Sequence, residues 1–130
     1  MAKFEAFEDI EAWKKAYSVT LDIYKLSQDG EFSRDFGLRD QLRRASTSVM
    51  ANIAEGHGRR SNQEFANHLN IARGSAQETQ SHLHIARALG YIAEDDFHRL
   101  YGQLSEISRM TLALARYLRN SPKLRNSGTP

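Results

Sequence analysis

The sequence has 130 residues, a formal net charge of +2 and no cysteine, which suits one domain with a single hydrophobic core and excludes disulfide frameworks and thiolate metal sites. No run approaches the roughly 20 apolar residues of a membrane-spanning helix, and the acidic segment near the N-terminus does not have the pattern of a signal peptide. A cytoplasmic location without membrane association is therefore expected.

The first predicted helix begins at about Ala6 or Asp9 and ends at Ser27. Residues at helical spacing form its predicted core-facing stripe: Ile10, Trp13, Tyr17, Thr20 and Tyr24, widened by Val19, Ile23 and Leu26. The aromatic rings could instead stack on nucleic-acid bases, but the amphipathic pattern favours packing in the core. Gly30 ends the segment, and Glu31 to Gly37 are predicted to form a connecting loop.

The second predicted helix runs from about Leu38 to Glu55. Its apolar residues again recur at helical spacing: Leu38, Leu42, Ala45, Val49 and Ile53. Gly56 follows the last of them directly, and this is where a left-handed glycine commonly ends a helix. Gly56 is therefore predicted to close the second helix in that conformation.

The third predicted helix begins at Ser61, which forms a capping-box pattern with Glu64, and it is closed by Gly90. Its main apolar stripe is Phe65, Leu69, Ala72, Ala76, Thr79, Leu83 and Ala86. A second stripe of Ile71, Ile85 and Leu89 lies beside it, so a second copy of the chain is expected to cover that stripe. Glycine inside a helix costs about 1 kcal/mol relative to alanine, and Gly74 is expected to offset this cost by allowing another backbone to approach closely.

The fourth predicted helix runs from about Glu94 to Arg119. Acidic residues in its first turn and arginines in its last turn both complement the helix dipole. Because no segment reads as a strand, residues 1–120 are predicted to form an all-α domain, an up-down-up-down antiparallel four-helix bundle. Residues 121–130 are predicted to form a disordered C-terminal tail.

Neither a catalytic centre nor a metal site is predicted. Asp95 and His98 are the nearest match to the Glu-x-x-His pattern of two-metal bundles, and no second such pair exists. The sequence has no P-loop and no nucleophile elbow. None of its five histidines follows an arginine by the four to six residues typical of one class of bundle nucleases. We therefore expect a protein that is not an enzyme and needs no cofactor.

Arginine outnumbers lysine thirteen to five, which favours bidentate contacts to phosphate or carboxylate groups. Arg59 and Arg60 lie between the end of the second helix and the start of the third. They are predicted either to pair with Glu55 or Glu64 and with the helix-end carbonyl groups, or to contact the phosphates of a nucleic acid. Other arginines that could extend such a basic strip are Arg43, Arg44 and Arg73.

Several motifs carry a family resemblance over residues 7–119: Asp9-Ile10-x-x-Trp13-x-x-Ala16, Leu38-x-x-Gln41-x-x-Arg44-Ala45, Asn52-Ile53-Ala54-Glu55-Gly56-x-Gly58-Arg59 and Ile71-Ala72-Arg73-Gly74-Ser75 with Glu78. With these motifs the chain resembles the 23S rRNA-intervening-sequence proteins and, more distantly, the accessory variability determinant proteins of diversity-generating retroelements. The resemblance implies a ring-like homopentamer of four-helix bundles without known catalytic activity. It also implies that motif residues hold the bundle ends and subunit contacts together: Glu55, Gly56, Gly58, Arg59, Gly74, Ser75 and Glu78.

The retroelement relatives bind nucleic acid and a reverse transcriptase through a basic surface. The leading interpretation is accordingly an oligomeric binding or scaffolding protein that contacts nucleic acid or a ribonucleoprotein. Its phosphate contacts would come from five arginines: Arg43, Arg44, Arg59, Arg60 and Arg73. The alternative is an adaptor that binds only proteins, through apolar and acidic surfaces such as the first helix.

Overall fold

A computed structural model describes residues 4–120, and every regular element in that range is helical. A 3-10 turn, Phe7–Asp9, precedes the helices α1 (Glu11–Leu26), α2 (Gly30–Arg34), α3 (Phe36–His57), α4 (Asn62–Ala88) and α5 (Glu94–Asn120). The prediction of an all-α chain is confirmed for the described residues. The predicted disordered tail, residues 121–130, lies outside them.

The four long helices pack side by side, with α1 and α4 each lying against both α3 and α5. Bonded residues follow opposite orders along α3 and α4, since Ser48 meets Ser75 while Asn52 meets His68. The same reversal relates α1 to α3, α4 to α5 and α1 to α5. The arrangement is antiparallel throughout, and the core on its axis includes the fully buried Leu42, Ile53, Phe65, Leu100 and Ile107.

Helix α1 buries part of the predicted stripe, including Val19, Thr20 and Ile23, but not its tyrosines. Its buried face is formed by Ala12, Ala16, Val19, Thr20 and Ile23. Tyr17 and Tyr24 are instead 44% and 42% exposed, so the prediction that they pack in the core is wrong. The two alanines let α1 approach its neighbours closely, and the large rings then remain at the rim, where Trp13 stacks on Tyr17 at 5.2 Å between ring centroids.

The segment predicted as a loop between the first two long helices contains the short helix α2. Gly30 begins it with a φ of 67°, and Phe32 is buried and stacks on Tyr91 at 5.3 Å between centroids. Asp35 then caps α3, where its side chain accepts a hydrogen bond from the backbone N–H of Leu38 at 3.2 Å. Burial of the Phe32 ring therefore stabilises a short helix in this connection. A helix of five residues is too short to be recognised from a periodic apolar pattern.

The two glycines predicted to close helices behave differently. Gly90 follows α4 with a φ of 75°, as expected, whereas Gly56 lies inside α3, which continues to His57. Gly56 does not have a positive φ, so the left-handed conformation predicted for it is wrong. The glycine is instead required by steric crowding between α3 and α4, because a Cβ atom at residue 56 would lie 2.7 Å from the Cβ of His68.

Candidate functional site

Polar residues line the seam where α3 and α4 meet at the surface. Ser48, Asn52 and Glu55 are spaced three or four residues apart, so they follow one side of α3, and Arg59 lies two residues beyond the end of that helix. On α4, His68 and Ser75 lie seven residues apart and face them across the seam. We call these six residues the α3–α4 polar ladder, since hydrogen bonds connect them without a break.

The ladder begins at Arg59 and fixes the tautomer of His68. Arg59 donates from Nη2 to Glu55 Oε2 at 2.8 Å and from Nε to His68 Nε2 at 3.1 Å. An imidazole nitrogen that accepts carries no proton, so the neutral ring holds its proton on Nδ1. That nitrogen donates to Asn52 Oδ1 at 3.2 Å, and Arg59 is thereby tied to the seam rather than to solvent.

The ladder continues from Asn52 to Ser75. The Asn52 amide group donates to the carbonyl oxygen of Ser48 at 2.9 Å and to its hydroxyl oxygen at 3.1 Å. The hydroxyl groups of Ser48 and Ser75 lie 2.8 Å apart. Either hydroxyl group can donate in this bond, because a hydroxyl oxygen has two lone pairs and the Ser48 oxygen can accept from both Asn52 and Ser75. Half-buried polar groups are thus satisfied within the protein.

The other residues singled out by motif occupy different positions around the seam. Gly58 is the C-cap residue of α3, with a φ of −80°. Glu78 is exposed, and its Oε2 atom lies 3.6 Å from His82 Nε2. Gly74 is exposed on α4, and a Cβ atom there would meet nothing within 4 Å. No backbone of the described chain therefore approaches Gly74, so the predicted close approach is not made within one copy.

The five candidate arginines fall into two groups. Arg59 and Arg73 bond within the chain, Arg73 by donating from Nη1 to Asn70 Oδ1 at 3.3 Å. Arg44 and Arg60 are exposed and make no hydrogen bond, ion pair or ring contact with any residue from 4 to 120. The second pair can therefore neutralise an external charge with the whole guanidinium group, whereas Arg59 and Arg73 are already partly engaged.

Arg43, the fifth candidate, is held against α1. Its Nε atom donates to Ser27 Oγ at 2.9 Å and its Nη2 atom to the carbonyl oxygen of Tyr24 at 3.4 Å. The guanidinium carbon lies 4.5 Å from the centroid of the Tyr24 ring, which is within the range of a cation–π contact. The residue is therefore fixed in place while three of its N–H groups have no assigned partner.

Two shallow grooves lie on either side of Arg44 and Ser48. The α1–α3 groove has a volume of about 460 Å³ and is lined by Tyr24, Asp40, Arg43, Arg44, Thr47 and Ser48. The α3–α4 groove has a volume of about 430 Å³ and is lined by Gln41, Arg44, Ala45, Ser48 and Glu78. The exposed guanidinium group of Arg44 therefore borders both grooves.

The second apolar stripe of α4 is uncovered, as the sequence predicted. Ile71, Ile85 and Leu89 are 52%, 47% and 53% exposed. On α1, Tyr17 and Leu21 are exposed as well. Isolated exposed apolar residues are ordinary, but several that follow one line along a helix are typical of a contact surface.

Residues 4–120 contain neither a cluster of metal-binding side chains nor a membrane-spanning helix. No group of three or more histidine, aspartate or glutamate side chains in this range is placed to hold a metal ion. Within the same range, no helix has the length and apolar character needed to cross a bilayer.

Known proteins provide two informative matches. The family model described as 23S rRNA-intervening sequence protein matches residues 8–113, and no curated protein matches the chain. Among solved structures, the chain is similar to a protein of unknown function from the S23 ribosomal protein family of Bacteroides thetaiotaomicron. The two chains are 26% identical with a TM-score of 0.73, over 81% of this chain and 98% of the other.

Proposed function

The chain belongs to the 23S rRNA-intervening sequence protein family, and on that premise we propose that it is a non-enzymatic, cytoplasmic homo-oligomer that binds nucleic acid or a ribonucleoprotein. The observation that carries this proposal is the presence of exposed, unpartnered guanidinium groups on Arg44 and Arg60. Arginine neutralises phosphates and releases their counterions, and it does so without reading the base sequence. The resemblance to retroelement proteins with a basic binding surface supports the same function.

Assembly is the second part of the proposal. The stripe of Ile71, Ile85 and Leu89 on α4 and the exposed Tyr17 and Leu21 on α1 are different surfaces of one chain. Contact between two different surfaces of neighbouring copies is heterologous, and it closes into a ring when the rotation allows. The sequence resemblance implies five copies in that ring. Exposed Gly74, beside Ile71, leaves room for the neighbouring backbone.

The native mass of the particle tests the assembly. We expect five times the 14.8 kDa of one chain, and we expect Ile85→Glu to produce single chains because it places a charge in the contact. Ala113→Glu, at an exposed position on α5, is the matched control and should leave the mass unchanged. A mass of one chain for the unaltered protein at micromolar concentration would contradict the assembly.

A salt series tests nucleic-acid binding. Affinity for generic RNA and DNA should fall steeply with salt concentration, and each phosphate contact removed should lower the slope by about one. Arg44→Gln combined with Arg60→Gln should therefore lower it by about two. Arg34→Gln is the control, since it removes the same charge from an exposed site beside Glu31 and Asp35. Absence of binding at low salt would favour the protein adaptor.

The adaptor remains the second candidate because of α1. Tyr17 is exposed and stacks on the half-buried Trp13, and Leu21 follows one turn later. Aromatic residues are enriched in protein–protein interfaces. Under this function, substitution of the free arginines would leave partner binding unchanged, whereas Tyr17→Ser would weaken it.

A further inference from the structure

We propose that the α1–α3 groove binds an unpaired nucleotide of a single strand, with its base against Tyr24 and Arg43 and its phosphate on Arg44. This inference rests on the proposed nucleic-acid function and specifies which form of nucleic acid is bound. It combines three features of the groove: a fixed flat platform, a free cation beside it, and a carboxylate whose charge is already paired.

The platform is the pair formed by Tyr24 and Arg43. Tyr24 is 42% exposed, and the Arg43 guanidinium carbon lies over one face of its ring, 4.5 Å from the centroid, so a base would stack on the other ring face or on the outer side of the guanidinium group. The Ser27 hydroxyl oxygen accepts a hydrogen bond from Arg43 Nε. The same hydroxyl group donates to the Ile23 carbonyl oxygen at 2.6 Å, which fixes its position. Because these contacts already restrict Arg43, little further conformational entropy is lost when a ligand binds. Bases stack on both aromatic rings and guanidinium planes.

The free cation is Arg44, the next residue along α3. It lines the same groove as Tyr24 and Arg43 and has no partner among residues 4–120. Arg43 and Arg44 therefore offer different contacts within one groove, a fixed planar surface and a movable charge. A nucleotide needs both, since its base presents a flat face and its phosphate a negative charge.

A carboxylate on the groove wall does not cancel this positive charge. Asp40 Oδ1 accepts a hydrogen bond from Arg39 Nε at 2.9 Å. The Thr47 hydroxyl group donates to the carbonyl oxygen of Arg43 at 2.7 Å, so it is also occupied. The positive charge of the groove is therefore carried by Arg43 and Arg44, with Asp40 balanced by its neighbour.

The geometry favours a single strand over a duplex. In a duplex, base faces are stacked on one another and only base edges reach the grooves. A ring at the surface of a helix bundle can meet the face of a base only when that base is unstacked. The volume of about 460 Å³ also lies within the range of roughly 300–1,000 Å³ that is common for small-molecule sites.

The test compares a fluorescently labelled single-stranded RNA with a duplex of equal length, by anisotropy at low salt. We expect Tyr24→Leu to weaken single-strand binding roughly 5- to 100-fold, the range of one base–aromatic stack, and to leave duplex binding within about twofold. Tyr24→Phe should retain the affinity because it keeps the ring. The matched control is Tyr117→Leu, at a tyrosine of α5 that is 37% exposed, which should change neither affinity.

A second variant keeps the inference testable if Tyr24→Leu does not fold. Arg43→Lys retains the charge but loses the planar surface. We expect it to weaken single-strand binding while the salt slope stays the same, an outcome that loss of a phosphate contact would not produce. The folded state of each variant is checked by circular dichroism and its melting temperature.

The outcomes separate this inference from the proposed function. If neither RNA form binds the unaltered protein, the proposed function fails and the inference fails with it. If RNA binds but a folded Tyr24→Leu or Arg43→Lys variant shows undiminished single-strand affinity, the inference alone is overturned. Equal losses for single strand and duplex would overturn it as well, because that pattern indicates general phosphate binding.

Discussion

Helix α3 has two seams, and its arginines behave differently in each. Towards α4, Arg59 donates to His68 and Glu55 and takes part in a hydrogen-bonded ladder. Towards α1, Arg43 is fixed on Tyr24 while Arg44 beside it has no partner among the described residues. The difference shows that the contacts of an arginine, rather than its presence in a basic cluster, indicate whether it joins helices or contacts a ligand.

Side-chain size explains why the α3–α4 seam is closed beside Gly56, although a groove lies further along it, whereas the α1–α3 seam is open at Tyr24. Gly56, Ser48 and Ser75 are small, so α3 and α4 approach closely and their polar groups bond directly. Across the other seam, Tyr24 and Arg43 are large, and they remain partly exposed around a groove. The closed seam should therefore control stability, and the open one should control binding.

The largest expected effect is at Gly56 in the closed seam. The added Cβ of Gly56→Ala would lie 2.7 Å from the Cβ of His68 and 3.0 Å from the Phe65 ring. Overpacking of this kind typically costs about 1–3 kcal/mol, although alanine recovers about 1 kcal/mol of helix propensity. Because the crowded atom of His68 is its Cβ, which cannot rotate away, we expect a cost at the upper end of that range and a net fall of about 2 kcal/mol in the unfolding free energy measured in urea.

Gly102→Ala provides the control for that substitution. Gly102 lies in α5, and a Cβ atom there would meet nothing within 4 Å. This variant should be as stable as the unaltered protein or more stable, by up to about 1 kcal/mol. Equal stability of the two alanine variants would show that the packing of α3 against α4 does not require a glycine at residue 56.

The next effect is at Asn52, the centre of the ladder. Asn52→Ala removes the acceptor for His68 and the donor to Ser48. Leaving half-buried polar groups without partners commonly costs about 1–2 kcal/mol, and thermal unfolding would measure the loss. Asn70→Ala is the control, since Asn70 is exposed and its side chain bonds only to Arg73 among residues 4–120. Equal melting temperatures for the two variants would mean that the ladder adds no stability.

A smaller effect distinguishes the two arginines that follow each other at the end of α3. Arg59→Gln removes an exposed ion pair and a hydrogen bond, so it should cost about 0.5–1 kcal/mol of stability. Arg60→Gln should leave stability unchanged but lower the salt slope of nucleic-acid binding by about one. If Arg59→Gln, rather than Arg60→Gln, lowered the salt slope, an arginine that belongs to the α3–α4 polar ladder could also contact phosphate.

Hydropathy periodicity located the long helices well but placed the centre of the buried face of α1 too close to its tyrosines. Val19, Thr20 and Ile23 were predicted correctly, whereas Tyr17 and Tyr24 on one side are exposed and Ala12 and Ala16 on the other are buried. A periodic pattern cannot choose between these two sides, because the choice depends on how closely the neighbouring helices approach. The exposed stripe of α4 was predictable because its main stripe already filled the core-facing side.

The candidate site was less predictable than the fold. The sequence offered Glu55 or Glu64 as a partner for Arg59, and the structure pairs it with Glu55. It did not identify Asn52 and His68, whose contact depends on the register between two helices. Arg44 and Arg59 also look alike in sequence, and only their surroundings distinguish a free cation from a bonded one.

A hydrogen bond away from both seams provides the smallest effect and a baseline for the others. The Tyr91 hydroxyl group donates to Asp35 Oδ2 at 2.9 Å. This bond, together with desolvation and the charges of Asp35 and Glu31, raises the pKa of Tyr91 above its usual value of 10.0. The unfolded chain therefore loses this proton at lower pH than the folded protein does. The stabilisation is fully present below pH 10 and is lost as pH rises through the raised pKa.

We expect Tyr91→Phe to be slightly less stable than the unaltered protein at pH 7, with the difference in urea midpoint shrinking above pH 10. A difference that stays constant to pH 11 would show that the bond does not respond to this titration, and the losses at Gly56 and Asn52 should exceed it at every pH.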